Sequence, residues 1–184
     1  MIIAGSCSPG TAKQIQHGMS LGYAGIRMDS EKLIDSSTQE ISRCTEACLN
    51  VLSGGGVPIL FSAMGPDDPC IQATRDKLIQ SETKGDSIGA RLGGAQGQVL
   101  KNIIDQTGKL RVTVAGGDTS GFVTKALGIH ALEVLVPIAP GAPLCVAHAK
   151  DEKYDGLEMS LKGGQNGNYQ YFEFVQLGKA TYEE

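Results

Sequence analysis

Three glycine-rich stretches hold the residues whose types and spacing could do chemistry: "GSCS" at Gly5–Ser8, "VAGGDTSGF" at Val114–Phe122 and "SLKGGQNG" at Ser160–Gly167. Each lies at the end of an apolar or alternating run, and the first two lead into helix-like segments. A strand that turns sharply into a helix aims several backbone N–H groups at one spot, where the helix dipole adds partial positive charge. An anion is the natural occupant. Gly116 and Gly117 lack the Cβ atoms that would hold a phosphate away, and Thr119 and Ser120 carry hydroxyls that either donate to the anion or cap the helix. Asp118 is the awkward member, because a carboxylate repels phosphate unless a divalent cation or ordered water lies between them. The plain alternative is a tight turn whose helix is capped by Asp118 or Thr119.

The first loop repeats the same device at the first strand end. Ser6 places a hydroxyl there, either for a nucleotide or for the turn itself, and Ser8 stands where it can cap the helix or reach the same ligand. Cys7 could act as a nucleophile only with a base or strongly cationic surroundings, and neither is implied nearby. In the third loop Lys162 could meet a phosphate, although a lysine at a strand end also fits solvated surface; Gly163, Gly164 and Gly167 are the firmer part. GxxxxGK[ST] is absent, and "GGAQGQ" lies inside a helical pattern instead of after a strand. The phosphate reading therefore rests on the three loops together.

The elements that must position these loops follow from apolar spacing. "MIIAG" is a short strand, and Ser8-Pro9 opens a helix in which Ala12, Ile15 and Met19 share a face until Gly22. "AGIRMDS" is a brief strand. Ser37 and Glu40 form a capping-box pattern, followed by Ile41, Cys44, Cys48, Val51 and Leu52 at helical spacing. "VPILFSA" is a buried strand and "MGPDDP" a turn. Ile88, Leu92, Ala95, Val99 and Ile103 mark a further helix with four glycines in its first half, which predicts close packing of another backbone. "KLRVTVAGG" is a strand, "SGFVTKALG" a helix stopped by Gly128, and "ALEVLVPI" a strand. A Pro-Gly turn with an extended segment, an alternating strand and a last amphipathic segment complete the chain. The pattern predicts an α/β, Rossmann-like three-layer domain over 1–184, with a mixed, largely parallel sheet and its ligand loops at the carboxyl ends of the strands.

Bulk properties exclude several classes. The 184 residues suit one domain with a self-sufficient core. A formal net charge of -4 gives no footprint for a nucleic-acid backbone, and no apolar run could span a bilayer. With no basic-then-apolar leader, the expectation is a cytoplasmic protein. The cysteines at 7, 44, 48, 70 and 145 are odd in number and scattered, which favours free thiols; Cys44 and Cys48 read as core instead of a soft-metal site. His17, His130 and His148 form no ligand pair. Glycine, at 25 residues, is about twice its usual share of roughly 7% and clusters at element ends, where backbone approaches something closely.

With "IIAGSCSPGTAKQI", "VAGGDTSGFVTKALGI", "IAPGAPLC" and "LKGGQNGNYQYF" in order, the chain resembles the C-terminal nucleotide-binding domain of the four-carbon acid sugar kinase family. That resemblance implies ATP-dependent phosphorylation of the terminal hydroxyl of a sugar acid of the threonate, erythronate or 3-oxo-tetronate type. It implies ATP contacts from Ser6, from Gly117 to Ser120 and from the Gly163–Gly164 turn, with Mg²⁺ bridging the phosphates and Asp118 acting through the metal or its waters. Two local departures stand out: the last loop reads "GGQNG" where relatives often have Gly-Asn-Phe-Gly, and Asp118 replaces a frequent glutamate. The Asp-Asp-x-x-Gly-Ala type motif of the family's substrate-binding domain is absent from these residues, so that domain, a catalytic base and the sugar acid contacts are expected elsewhere. Homo-oligomerisation is open. The rival readings are a nucleotide-binding regulatory module without phosphoryl transfer and an unrelated Rossmann-like enzyme with Cys7 as nucleophile.

Overall fold

The computed structural model describes residues 1–81 and 87–180. The elements run β1 (Ile2–Ala4), α1 (Pro9–Ser20), β2 (Ala24–Arg27), α2 (Lys32–Asp35), α3 (Ser37–Ser53), β3 (Pro58–Phe61), α4 (Pro69–Gln80) and α5 (Ile88–Thr107). The second half adds β4 (Val112–Ala115), α6 (Gly117–Ala126), β5 (Ile129–Ala139), β6 (Ala142–Ala149), β7 (Leu157–Lys162) and α7 (Tyr171–Leu177). They form a seven-stranded sheet in the order β2-β3-β1-β4-β7-β6-β5. The first five in that order are mutually parallel, and β6 and β5 close the edge antiparallel, so the sheet is mixed and largely parallel as the sequence pattern predicts.

Successive residues of β1 show why it sits in the middle. Ile2 and Ala4 pack with Ile15 of α1 and Phe172 of α7, while Ile3 packs with Cys44 of α3, Val99 of α5 and Val123 of α6. A strand buried on both faces needs apolar side chains at every position, not alternate ones. The chain leaves β1 toward the α1 face and leaves the neighbouring β4 toward the α6 face. Adjacent strands whose connections diverge open a crevice at their carboxyl ends, the place where ligands bind in open α/β sheets. The parallel β7 on the far side of β4 brings the third glycine loop to the same rim.

Several local expectations change. The capping box at Ser37 and Glu40 does not form: Ser36 is the N-cap of α3 and its side chain makes no capping hydrogen bond. Glu40 is buried and accepts from the Asp29 amide at 2.7 Å and from the Arg43 guanidinium, stronger partners for a desolvated carboxylate than its own helix end. Met19 is 44% exposed instead of facing the core. Helix α4 follows the "MGPDDP" turn, with Asp68 accepting from the Cys70 amide and Pro69 in the first turn. The Asp68 carboxylate also takes a bidentate bond from Arg27, and that bond above all holds it well below the usual carboxylate range.

Close packing by the α5 glycines is found at two of them. A Cβ on Gly93 would overlap the Phe122 ring of α6, and one on Gly97 would come within 3.0 Å of the Ala126 Cβ, whereas Gly94 faces open space. Gly94→Ala should therefore stabilise the fold by roughly 1 kcal/mol through helix propensity. Gly93→Ala should lose that gain to overpacking and destabilise by about 1–3 kcal/mol. Urea unfolding of the two variants checks the opposite signs.

Candidate functional site

The three glycine loops meet above the carboxyl ends of β1, β4 and β7. The Gly5 and Ser6 amides both donate to the Ala115 carbonyl, at 3.0 and 3.1 Å, and the Gly116 amide donates to the Lys162 carbonyl at 2.9 Å. Gly116 itself has φ of 128°, a conformation L side chains rarely adopt, and a Cβ there would also press on the Ser6 amide at 3.1 Å. The turn into α6 is thus built for glycine by both its backbone and its neighbours.

Helix α6 begins with Gly116 as N-cap, and no side chain caps it. Its first-turn amides have no intrahelical acceptors, so the positive end of the helix opens onto the rim. Gly117 and Asp118 are exposed there, and a Cβ on Gly117 would meet nothing within 4 Å. Asp118 does not cap the helix; its carboxylate lies beside Gly89 at the start of α5, 3.9 Å from where a Cβ on that glycine would stand. Thr119 is buried, its Oγ1 packed against Gly5 and Gly116. The Ser120 hydroxyl donates to the Gly116 carbonyl at 2.7 Å, so its proton is used inside the turn.

The first loop does not repeat this device. Both of its leading amides are spent on Ala115, and the Ser8 hydroxyl caps α1 by accepting from the Thr11 amide at 3.1 Å. The N-terminal turn of α1 is occupied by the protein's own Gly164 carbonyl, which accepts from the Ser8 hydroxyl and, at 3.1 Å, from the Thr11 hydroxyl. Ser6 accepts from the Ser8 amide at 3.2 Å, which leaves its hydroxyl proton free to turn toward a ligand. The third loop is pinned from α1 as well: Gln14 is fully buried and its Nε2 donates to the carbonyls of Asn166, Gly167 and Asn168 at 3.0, 3.2 and 2.9 Å. Thr11 and Gln14 were not evident in the sequence. The signal was their spacing of three and six residues from the Ser8 cap, which puts all three near one face of the helix.

Lys162 is 2% exposed, so of its two readings the solvated surface does not hold. Its Nζ donates to Thr11 Oγ1 at 3.2 Å and to the Gly164 carbonyl at 3.3 Å, and lies 6.0 Å from the centre of the Tyr171 ring. Among the described residues no carboxylate is within ion-pair distance, and burial pulls the ammonium down to about 8. The Gly163–Gly164 turn covers it. A Cβ on Gly164 would overlap the Ser6 hydroxyl and one on Gly163 would sit 2.7 Å from Asn166 Oδ1, so the cover fits only without side chains.

Other candidates fall away from the rim chemistry. Burial pushes the Cys7 thiol up and the Asp68 charge adds to it, which leaves little thiolate near neutrality. Cys44 and Cys48 are fully buried in the core, and among the described residues no group of His, Cys, Asp or Glu side chains could by itself hold a metal ion. A lone rim carboxylate such as Asp118 suits Mg²⁺ that is shared with substrate phosphates, since that ion keeps several waters and needs only one or two protein carboxylates. Among the described residues no helix is long and apolar enough to cross a membrane.

Comparison with known proteins adds an independent line. Residues 1–172 match the family described as the nucleotide-binding C-terminal domain. The chain is similar to the 3-oxo-isoapionate kinase of Paraburkholderia graminis, at 37% identity over 96% of this chain and 38% of that protein. It is also similar to the 3-oxo-tetronate kinase of Cupriavidus necator, at 31% identity over 97% of this chain and 38% of that protein. In structure it resembles a Haemophilus influenzae protein of the DUF1537 family, with a TM-score of 0.74 and 23% identity over 96% of this chain and 39% of the other. The chain thus spans somewhat under two fifths of the length of these relatives.

The buried ammonium makes Lys162→Met a test of what the lysine is for. Removing a desolvated, unpaired charge should raise stability near neutral pH by about 2 kcal/mol. The wild-type lysine carries its full penalty below about 8 and loses it as pH rises toward 10.5, the ordinary lysine value, so the gain should shrink across that window. Denaturation followed as a function of pH checks both the sign and the window.

Proposed function

The chain belongs to the nucleotide-binding C-terminal domain family, and from that premise we propose that it is the ATP-binding part of a kinase that phosphorylates the terminal hydroxyl of a four-carbon sugar acid or a close analogue. The observation that carries this reading is the uncapped N-terminus of α6, opening at the β1–β4 crevice beside a buried lysine that has no carboxylate partner among the described residues. Two sources of positive potential converge there, and the one acid in the first turn of α6, Asp118, leans away toward Gly89 of α5. A polyphosphate supplies the counter-charge.

In this reading the first-turn amides of α6 hold the terminal phosphates, and Gly117 keeps the approach clear. The Ser6 hydroxyl adds a neutral donor from the facing loop, and Lys162 adds charge from beneath the Gly164 turn. Asp118 would be the residue to hold Mg²⁺, directly or through water, and the ion would supply charge neutralisation during transfer. The acceptor hydroxyl and its base belong to parts of the relatives' length that this chain does not span. Phosphoryl transfer depends mostly on positioning and charge neutralisation, so this chain alone should bind nucleotide well and transfer poorly.

Titration calorimetry with Mg·ATP tests the reading. Gly117→Val has room in the free protein and should melt like wild type, yet weaken Mg·ATP by about 30-fold or more by crowding the anion. Equal binding by both, or none by either, would sink the proposal. Because the free protein's Lys162 titrates near 8 and a bound polyanion would retain its proton, affinity should fall by up to about tenfold per pH unit above that point. Lys162→Met should abolish that slope.

A further inference from the structure

We infer that Gln96 of α5 is a positioning residue beneath the phosphate cradle: it accepts the Thr119 hydroxyl proton, so that Thr119 turns a lone pair toward the Mg²⁺ of a bound nucleotide instead of a proton toward its phosphates. The inference rests on the nucleotide-binding reading above and adds to it how the floor of the cradle is oriented. Gln96 lies in "GGAQGQ", the glycine-rich stretch inside α5. Gly93 and Gly97, which flank it, bring α5 against Phe122 and Ala126 of α6. That close approach sets a polar side chain of α5 beside the first turn of α6.

Gln96 is fully buried. Its Nε2 donates to the Ala4 carbonyl at the end of β1, at 3.4 Å, and its Oε1 has no hydrogen-bond partner among the described residues. A buried amide oxygen left unmet is uncommon and costs free energy until a donor reaches it. The corner it faces is the one that Gly5 leaves open. A Cβ on Gly5 would stand 2.8 Å from Gln96 Oε1 and would overlap Thr119 Oγ1, so the amide oxygen and the hydroxyl flank one point. The same hydroxyl lies 3.1 Å from where a Cβ on Gly116 would stand, and the Ser6 amide lies equally close to that position. Thr119 therefore reaches from the Gly5 corner to the floor of the cradle.

The direction of one proton then decides what Thr119 offers. A threonine hydroxyl has one proton and two lone pairs. With the proton donated to a phosphate oxygen, Thr119 is one more donor to the anion and Gln96 Oε1 stays unmet. With the proton donated to Gln96 Oε1, both buried groups are satisfied. The lone pair left facing the cradle repels an anion but suits Mg²⁺, a hard cation that takes neutral oxygens beside carboxylates and phosphates. Asp118, the preceding residue in the same turn, is the charged oxygen ligand that such a hydroxyl would accompany.

The test measures ATP binding by calorimetry, with Mg²⁺ and with EDTA, and urea unfolding of the free chain. The variants are Gln96→Met, Thr119→Val, Thr119→Ser and the double variant Gln96→Met/Thr119→Val. Gln96→Met removes an unmet buried oxygen, and the Ala4 carbonyl still accepts from the Ser62 amide at 3.3 Å, so the urea midpoint should stay or rise. Gln96→Met and Thr119→Val should each weaken Mg·ATP by about tenfold and leave metal-free ATP within about twofold. Thr119→Ser should bind as wild type, and the double variant should be no weaker than Thr119→Val, because the two residues act as one unit. Equal losses with and without Mg²⁺ in Gln96→Met, together with a lower urea midpoint, would overturn the inference by making the glutamine a packing residue. Weaker metal-free ATP in Thr119→Val, with Gln96→Met unchanged, would also overturn it, by making the hydroxyl a phosphate donor. Should Gln96→Met fail to fold, Thr119→Val still decides, since its loss must appear only with Mg²⁺. Absence of binding by wild type, with or without Mg²⁺, would remove the nucleotide reading and this inference with it.

Discussion

The structure turns on a buried cation that no acid among the described residues pairs with. Lys162 ends β7 with its ammonium under the Gly163–Gly164 turn, where its partners are a threonine hydroxyl and a peptide carbonyl. Such an arrangement costs stability, because neutral oxygens do not replace the hydration of a charge. It persists because its neighbours are fixed by other demands: Thr11 lies in the first turn of α1, and the Gly164 carbonyl is held there by two hydroxyls and by the clamp of Gln14 on Asn166, Gly167 and Asn168. The lysine occupies a place shaped by α1, and its unmet charge is felt at the rim.

The same contacts explain why two helix N-termini at one rim have different roles. Helices α1 and α6 both follow central parallel strands, and both begin in glycine-containing loops. The end of α1 is closed, by Ser8 through its own cap and by the Gly164 carbonyl from across the crevice. That of α6 starts from a glycine with no side chain to offer, and the one nearby acid points toward α5. Of the two helix ends, protein atoms close that of α1 and leave that of α6 open.

Much of this was legible in the sequence. Runs such as "MIIAG" and "VPILFSA" gave parallel central strands because burial on both faces demands apolar residues throughout, and Ser8-Pro9 marked a helix start that the structure keeps. The same cap-then-proline signal stood at Asp68-Pro69, where reading "MGPDDP" only as a turn hid α4. Glu40 followed a capping-box spacing but found Asp29 and Arg43, partners distant or differently placed in sequence, so a local rule lost to tertiary contacts. Lys162 was hardest to place. Whether a lysine at a strand end reaches water depends on what covers it, and its cover comes from a loop that only α1 holds in position.

The surplus of glycine takes on a sharper meaning from these contacts. The expectation was backbone approaching a ligand, yet three of the rim glycines are small for the sake of one another's loops. Gly5 makes room for Thr119, Gly116 for the Ser6 amide, and Gly164 for the Ser6 and Ser8 hydroxyls. They let three strand ends interlock with no space between, which is what places an open helix end, a free hydroxyl and a buried cation together. Gly117 differs because its missing side chain would meet nothing in the protein. In the proposed reading that open position, at the uncapped end of α6, is where the anion approaches.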